Sequence, residues 1–180
     1  YGHTVTLVGG VARSAAQSRF GGYSSYHANN PTPADYLNVT GLPAIGTQSF
    51  CAEAWVYQTD LSAGFQNILV SGTGGDWTLQ AHNAYLVLKV FGTTWINVAS
   101  CFVANTWQHV RLSFNHDTDT FRAYVDGVEK GSVSGLGYSG VGTNMYIGSY
   151  NYRGYIEDAR LTIGNDRSVD VLPPLAKFIE

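Results

Sequence analysis

Residues 107–128 read Trp107-Gln108-His109-Val110-Arg111-Leu112-Ser113-Phe114-Asn115-His116, then Asp117-Thr118-Asp119, then Thr120-Phe121-Arg122-Ala123-Tyr124-Val125, then Asp126-Gly127-Val128. Successive side chains of a strand point to opposite faces. Val110, Leu112 and Phe114 therefore share one face, and His109, Arg111 and Ser113 share the other. Phe121, Ala123 and Val125 repeat the pattern opposite Arg122 and Tyr124. A two-residue Asp126-Gly127 link between such runs is a strong hairpin signal, because both turn residues need positive φ. Strands with one apolar and one polar face pack as two face-to-face sheets.

The rest of the chain repeats this rhythm. Short runs rich in Val, Ile, Tyr, Phe and Thr recur between Gly, Asn, Asp, Ser and Pro, and thirteen candidate strands can be drawn. They begin with His3–Val8, Gly22–His27 and Asp35–Val39, and end with Met145–Gly148 and Tyr155–Ile163. So many strands leave no room for crossover helices, so the sheets are antiparallel. The best helix candidate, Val11–Ser18, lacks a cap and an apolar stripe. The expected fold is all-β: a two-sheet antiparallel jelly-roll sandwich, one domain over residues 1–180.

Composition agrees. Charged residues are 13% and glycines number 21 of 180, where a helical surface would demand more charge. The ten basic residues are scattered at a net charge of −3, which offers no stripe for nucleic acid. No apolar run reaches the ~18 residues of a membrane helix. Cys51 and Cys101 lack zinc or redox spacing. One disulfide and two buried thiols both remain open; a domain of this size does not require the crosslink.

Four segments resemble a known family. Phe50-Cys51-Ala52-Glu53-Ala54-Trp55-Val56-Tyr57 is similar to a strand of laminin-G-like domains in the concanavalin A-like lectin/glucanase superfamily. Trp107-Gln108-His109-Val110, followed by Tyr124-Val125-Asp126-Gly127, resembles its hairpin. Gly154-Tyr155-Ile156-Glu157-Asp158-Ala159-Arg160-Leu161 resembles its closing strand, and Asp35-Tyr36-Leu37-Asn38-Val39 an earlier element. The ending Asp158-Ala159-Arg160-Leu161-Thr162-Ile163-Gly164, then Arg167, then Pro173-Pro174, looks like modules of phage tail and spike proteins. The resemblance implies binding to glycans or cell-surface polysaccharide, adhesion to other virion proteins, a location on a virion or other extracellular surface, self-association, and often a calcium ion. It also includes glycoside hydrolases.

The residues do not support hydrolysis. Paired carboxylates must share a face, and only Asp117 and Asp119 stand two apart, in a turn where Asp has ordinary structural work. No serine elbow or histidine metal motif is present. The expected module is non-catalytic, with a structural interaction domain of a virion assembly as the alternative reading.

Strict alternation puts Glu157 on the face of Tyr155, Ala159, Leu161 and Ile163. A carboxylate buried there must be paired, hydrogen-bonded or metal-bound. A local bulge or an arginine partner answers this, and so does calcium, with Asp158 and Asp35 as further ligands. The expected glycan contacts are Tyr150, Asn151, Tyr152 and Arg153 in the loop Ser149–Gly154, extended by Trp95. These combine flat rings with amide and guanidinium donors. Trp55, Trp77 and Trp107 are expected in the core.

Overall fold

The computed structural model describes residues 2–28, 35–72, 76–168, 170 and 172–176. The described residues form two antiparallel sheets of seven strands each and no helix. The first sheet runs, edge to edge, β1 (Thr4–Val8), β4 (Tyr36–Thr40), β13 (Asn144–Ser149), β6 (Phe65–Ser71), β7 (Trp77–His82), β8 (Tyr85–Val90) and β9 (Thr93–Val98). The second runs β12 (Val128–Ser134), β11 (Thr120–Val125), β10 (Trp107–Asn115), β5 (Phe50–Gln58), β14 (Arg153–Ile163), β3 (Ser24–Ala28) and β2 (Ala12–Ser14). This is the expected jelly-roll sandwich. Val11–Ser18 contributes the short strand β2 instead of a helix. The breaker stretch Asn29–Pro33 lies outside the described residues.

The deciding hairpin forms as read. Val110 pairs with Val125 and Phe114 with Phe121, while Asp126 and Gly127 both take positive φ. The inward stripes meet those of the first sheet in one core. Phe50 stacks on Trp77 at 5.4 Å between ring centroids, and Phe114, Phe121 and Tyr138 close around them. Trp55 is buried as well, whereas Trp107 is half-buried. Cys51 and Cys101 are buried free thiols, and burial pushes Cys51 up to about 12.

The outward faces of β5 and β10 are not wet. Glu53, His109, Arg111 and Ser113 are all buried, because two segments cross that face. Arg19 and Phe20 cover Trp55. The chain after β14 lays Arg167 on Glu53 and carbonyls of Arg167 and Asp170 on the Arg111 guanidinium. Further on, Leu172 and Leu175 are exposed.

A bulge between Glu157 and Arg160, one of the readings open for Glu157, breaks the strict alternation of β14. Asp158 takes φ +57° there and absorbs one residue of register. Everything before it is thereby flipped to the opposite face. Ile156 thus faces the core, while Glu157 pairs across from Trp55 on the outer face.

Candidate functional site

The loop from Ser149 to Gly154 divides its side chains between core and solvent. Tyr150 and Asn151 both have positive φ, a two-residue turn that leaves Tyr150 58% exposed. The turn ends at Gly154, where φ is +137° and a Cβ would run into the Tyr57 carbonyl oxygen. Tyr152 points the other way and is 2% exposed. Its hydroxyl donates to the Tyr155 carbonyl at 3.1 Å and its ring meets His27 edge-on. Burial drives its phenol well above the ordinary range. Tyr152 is therefore a core residue and not a ligand contact, contrary to its sequence reading. Alternation explains the reversal, since two left-handed residues precede it and reset which side it faces. Arg153 is tied down, pairing with Asp60 while its backbone N–H donates to Gln66 Oε1 at 3.0 Å. Hydrogen bonds from Ser62, and then the Arg153 guanidinium, hold the Asp60 carboxyl below its usual range.

Trp95 does not extend this loop. It is 46% exposed on the edge strand β9. Ser149 is in register with Asn67, Gln80, Val87 and Asn97 across β13, β6, β7, β8 and β9. Four strand spacings, roughly 19 Å, therefore separate the turn from β9. Trp95 lies still further along that strand, toward the opposite end of the sheet.

The three acidic residues expected at calcium are also dispersed among other partners. Glu157 Oε2 accepts from Ser18 Oγ at 2.9 Å and from the Arg19 backbone N–H at 2.6 Å. Asp35 Oδ1 accepts from the Gly10 N–H at 2.6 Å. Asp158 is the bulge residue itself. No group of three or more His, Cys, Asp or Glu among the described residues is arranged to hold a metal. The bulge turns Glu157 to the outer face, where Ser18 and the Arg19 backbone are its partners. Asp119 likewise has structural work: its carboxylate accepts the Gly137 N–H at 2.6 Å and the Tyr138 N–H at 3.4 Å.

The register brings together a surface that sequence reading missed. On the first sheet, Ile147, Leu69, Leu79, Leu88 and Ile96 form one inward row. Neighbouring rows therefore face outward. One is Asn38, Tyr146, Val70, Thr78 and Lys89; the next is Ser149, Asn67, Gln80 and Val87. Within the second row, Asn67 Nδ2 donates to Ser149 Oγ at 3.4 Å and Gln80 donates to Asn67 Oδ1. Gln80 is 5% exposed, yet its Oε1 has no hydrogen-bond partner, and neither has Asn38 Oδ1. A third row sets Phe65, His82 and Tyr85 side by side. His82 stacks on Phe65 at 4.0 Å, and Lys89 Nζ lies 4.5 Å from the Phe65 centroid. Phe65 and Tyr85 are exposed. The Tyr150 turn adjoins the same rows, its carbonyl accepting the Asn67 N–H. The only signal in the sequence was a Tyr, Asn and Gln content on polar stripes whose alignment needs three separate registers.

The second sheet holds a buried ionic cluster on its outer face. Glu53 accepts from Arg160 Nε at 2.9 Å and Nη2 at 2.5 Å, and from Arg167. His109 Nε2 lies 3.2 Å from its other oxygen. Register makes this meeting: Glu53 pairs with Arg111 on one side and Arg160 on the other. With one carboxylate shared by two guanidiniums, the cluster is a cross-sheet tie and leaves no free acid for chemistry.

A family model described as the concanavalin A-like lectin/glucanases superfamily matches residues 30–162. The chain belongs to this superfamily. Its matched span carries Glu53, His109 and Arg160, so the motifs that resemble the family are the ones that assemble the buried tie. No curated protein sequence matches the chain. Among solved structures, the binding domain of botulinum neurotoxin DC in complex with rat synaptotagmin II has a TM-score of 0.68 at 14% identity, covering 88% of this chain and 43% of that one. The receptor binding domain of botulinum neurotoxin type G gives 0.68 at 13%, covering 95% and 45%. The Ruminococcus gnavus IT-sialidase CBM40 bound to alpha2,3 sialyllactose gives 0.58 at 15%, covering 71% and 82%. At these identities the likeness is one of fold, and the chain spans less than half the length of the toxin domains.

Proposed function

We propose that the protein is a non-catalytic carbohydrate-binding or adhesion module, displayed on a virion such as a phage tail or on another extracellular surface. Its recognition face is the outer side of the first sheet beside the Tyr150 turn. One observation carries the reading: the exposed rings of Phe65, Tyr85 and Tyr150 flank a hydrogen-bonded row of Ser149, Asn67 and Gln80 on that outer face. Flat rings at the rim suit the C–H faces of sugars, and Lys89 suits a carboxylated or sulfated unit. The fold is shared with a sugar-bound CBM40 and with toxin receptor-binding domains, which supports the same class of function.

Single-site affinity is expected in the high micromolar to millimolar range, roughly 4 to 6 kcal/mol. Display in several copies would raise it by effective concentration. The test is a glycan array including α2,3-sialyllactose, followed by titration of Phe65→Ala, Tyr85→Ala and Tyr150→Ala. Each variant should lose binding at least about tenfold, or about 1.4 kcal/mol, with an unchanged melting temperature. Unchanged binding in all three would remove this face from consideration.

A further inference from the structure

The two sheets close on each other at one edge, where β9 touches β12, and gape at the other. There β1, β4 and β13 oppose β14, β3 and β2 across an open cleft of about 1330 Å³. Aliphatic side chains line it from both sheets, including Leu37, Met145, Leu161 and Ile163. The strand at its lip is β1, Thr4-Val5-Thr6-Leu7-Val8. Val5 and Leu7 line the cleft yet are 50% and 56% exposed.

Among the described residues β1 pairs with β4 alone and ends its sheet. Its other side is therefore a row of backbone donors and acceptors that no described strand pairs. Natural edge strands are guarded by charges, proline or bulges. β1 has none of these: five residues in unbroken register with β4, all Thr, Val or Leu. Two requirements thus coincide at one lip. An occupant must satisfy alternating N–H and C=O groups along the edge and also cover aliphatic side chains beneath it. A lipid chain meets the second and not the first. An extended peptide meets both, since its alternate side chains turn inward while its backbone extends the sheet.

We propose that β1 is a strand-acceptor edge. An extended peptide segment, aliphatic at alternate positions, adds beside Thr4–Val8 and seats its inward side chains in the cleft beside Val5 and Leu7. The site lies at the far edge of the sheet from β8 and β9 and is independent of the glycan reading.

The probe is an acetylated Lys-Val-Thr-Val-Thr-Val-Lys heptapeptide, with an alternately N-methylated twin that keeps the side chains but lacks edge donors. Amide hydrogen exchange at Thr4–Val8 should slow at least about tenfold with millimolar peptide, and not with the twin. A Val5→Lys, Leu7→Lys double variant should abolish the protection while melting normally, because both side chains already meet water. The proposal is overturned by absence of protection at millimolar peptide, or by equal protection from the twin. Displacement of the peptide by dodecanoate would make the cleft a lipid cavity. Protection that grows with protein concentration and no peptide would make the occupant a second copy.

Discussion

Replacing Glu53 by Gln tests the buried tie most directly. The carboxylate is 1% exposed and holds Arg160 and Arg167, with His109 Nε2 3.2 Å from its other oxygen. Removing one partner of a fully buried ion pair costs about 3–5 kcal/mol, because an uncompensated charge is left behind. Here the guanidiniums are partly accessible, Arg160 at 31% and Arg167 at 16%. They can recover some hydration, which places the cost near the lower end, about 3 kcal/mol. For a chain of this length each kcal/mol moves the melting temperature by about 2–4 °C, so a drop of roughly 10 °C is expected. Urea denaturation at low and high salt is the assay. Screening acts weakly on buried pairs, so the deficit should persist in high salt. A cycle with Arg167→Met should return a coupling of at least about 1 kcal/mol. A loss below about 1 kcal/mol, or one erased by salt, would mean that the cluster behaves as a surface pair and the reasoning is wrong.

Further outcomes follow from other buried groups. Burial lowers His27 to about 4 from 6.5, with the neighbouring Asp35 opposing only in part. Between those values the unfolded chain takes up a proton that the folded chain refuses. Stability is then full above pH 6.5 and falls toward pH 4 by about 3 kcal/mol; in a pH series of melts, His27→Gln should flatten that decline. Tyr152→Ala should lose about 3–5 kcal/mol as a core truncation, whereas Tyr150→Ala should melt within about 0.5 kcal/mol of the parent. Comparable effects would place the two rings wrongly. Cys51, buried and with its thiol raised to about 12, should resist a thiol reagent in the native protein and react only after unfolding. Because Glu157 is held by Ser18 and the Arg19 amide, EDTA should leave the melting temperature unchanged; a drop would restore calcium to that site.

The fold was legible because its evidence is local. Alternation in Trp107–Asn115 and Thr120–Val125, with an Asp126-Gly127 turn between β11 and β12, needs no knowledge of distant residues. The loop was legible only by halves. Tyr150 and Tyr152 look equivalent as letters, yet the paired left-handed residues at 150 and 151 send one ring to water and the other to the core. Strict alternation alone puts Glu157 on the wrong face, and the bulge held open beside it is what forms: one extra residue at Asp158 inverts the phase of everything before it. The surface of Asn67, Gln80, Phe65, His82 and Tyr85 could not be read at all, because the registers that align it, such as that of β13 with β6, join strands distant in the chain and leave no local signal.

Sequence alone determined the architecture, the family and the apolar stripes of β10 and β11, since hydrophobic periodicity and turn chemistry act over a few residues. It also contained Glu53, His109, Arg160 and Arg167 without indicating that they meet. Their meeting, the covered outer face of the second sheet, the outward row around Gln80 and the unguarded edge of β1 were decided by tertiary structure. Each depends on which strands lie side by side and where the chain crosses a sheet. That is settled by long-range pairing, where a single bulge moves a side chain from one face to the other.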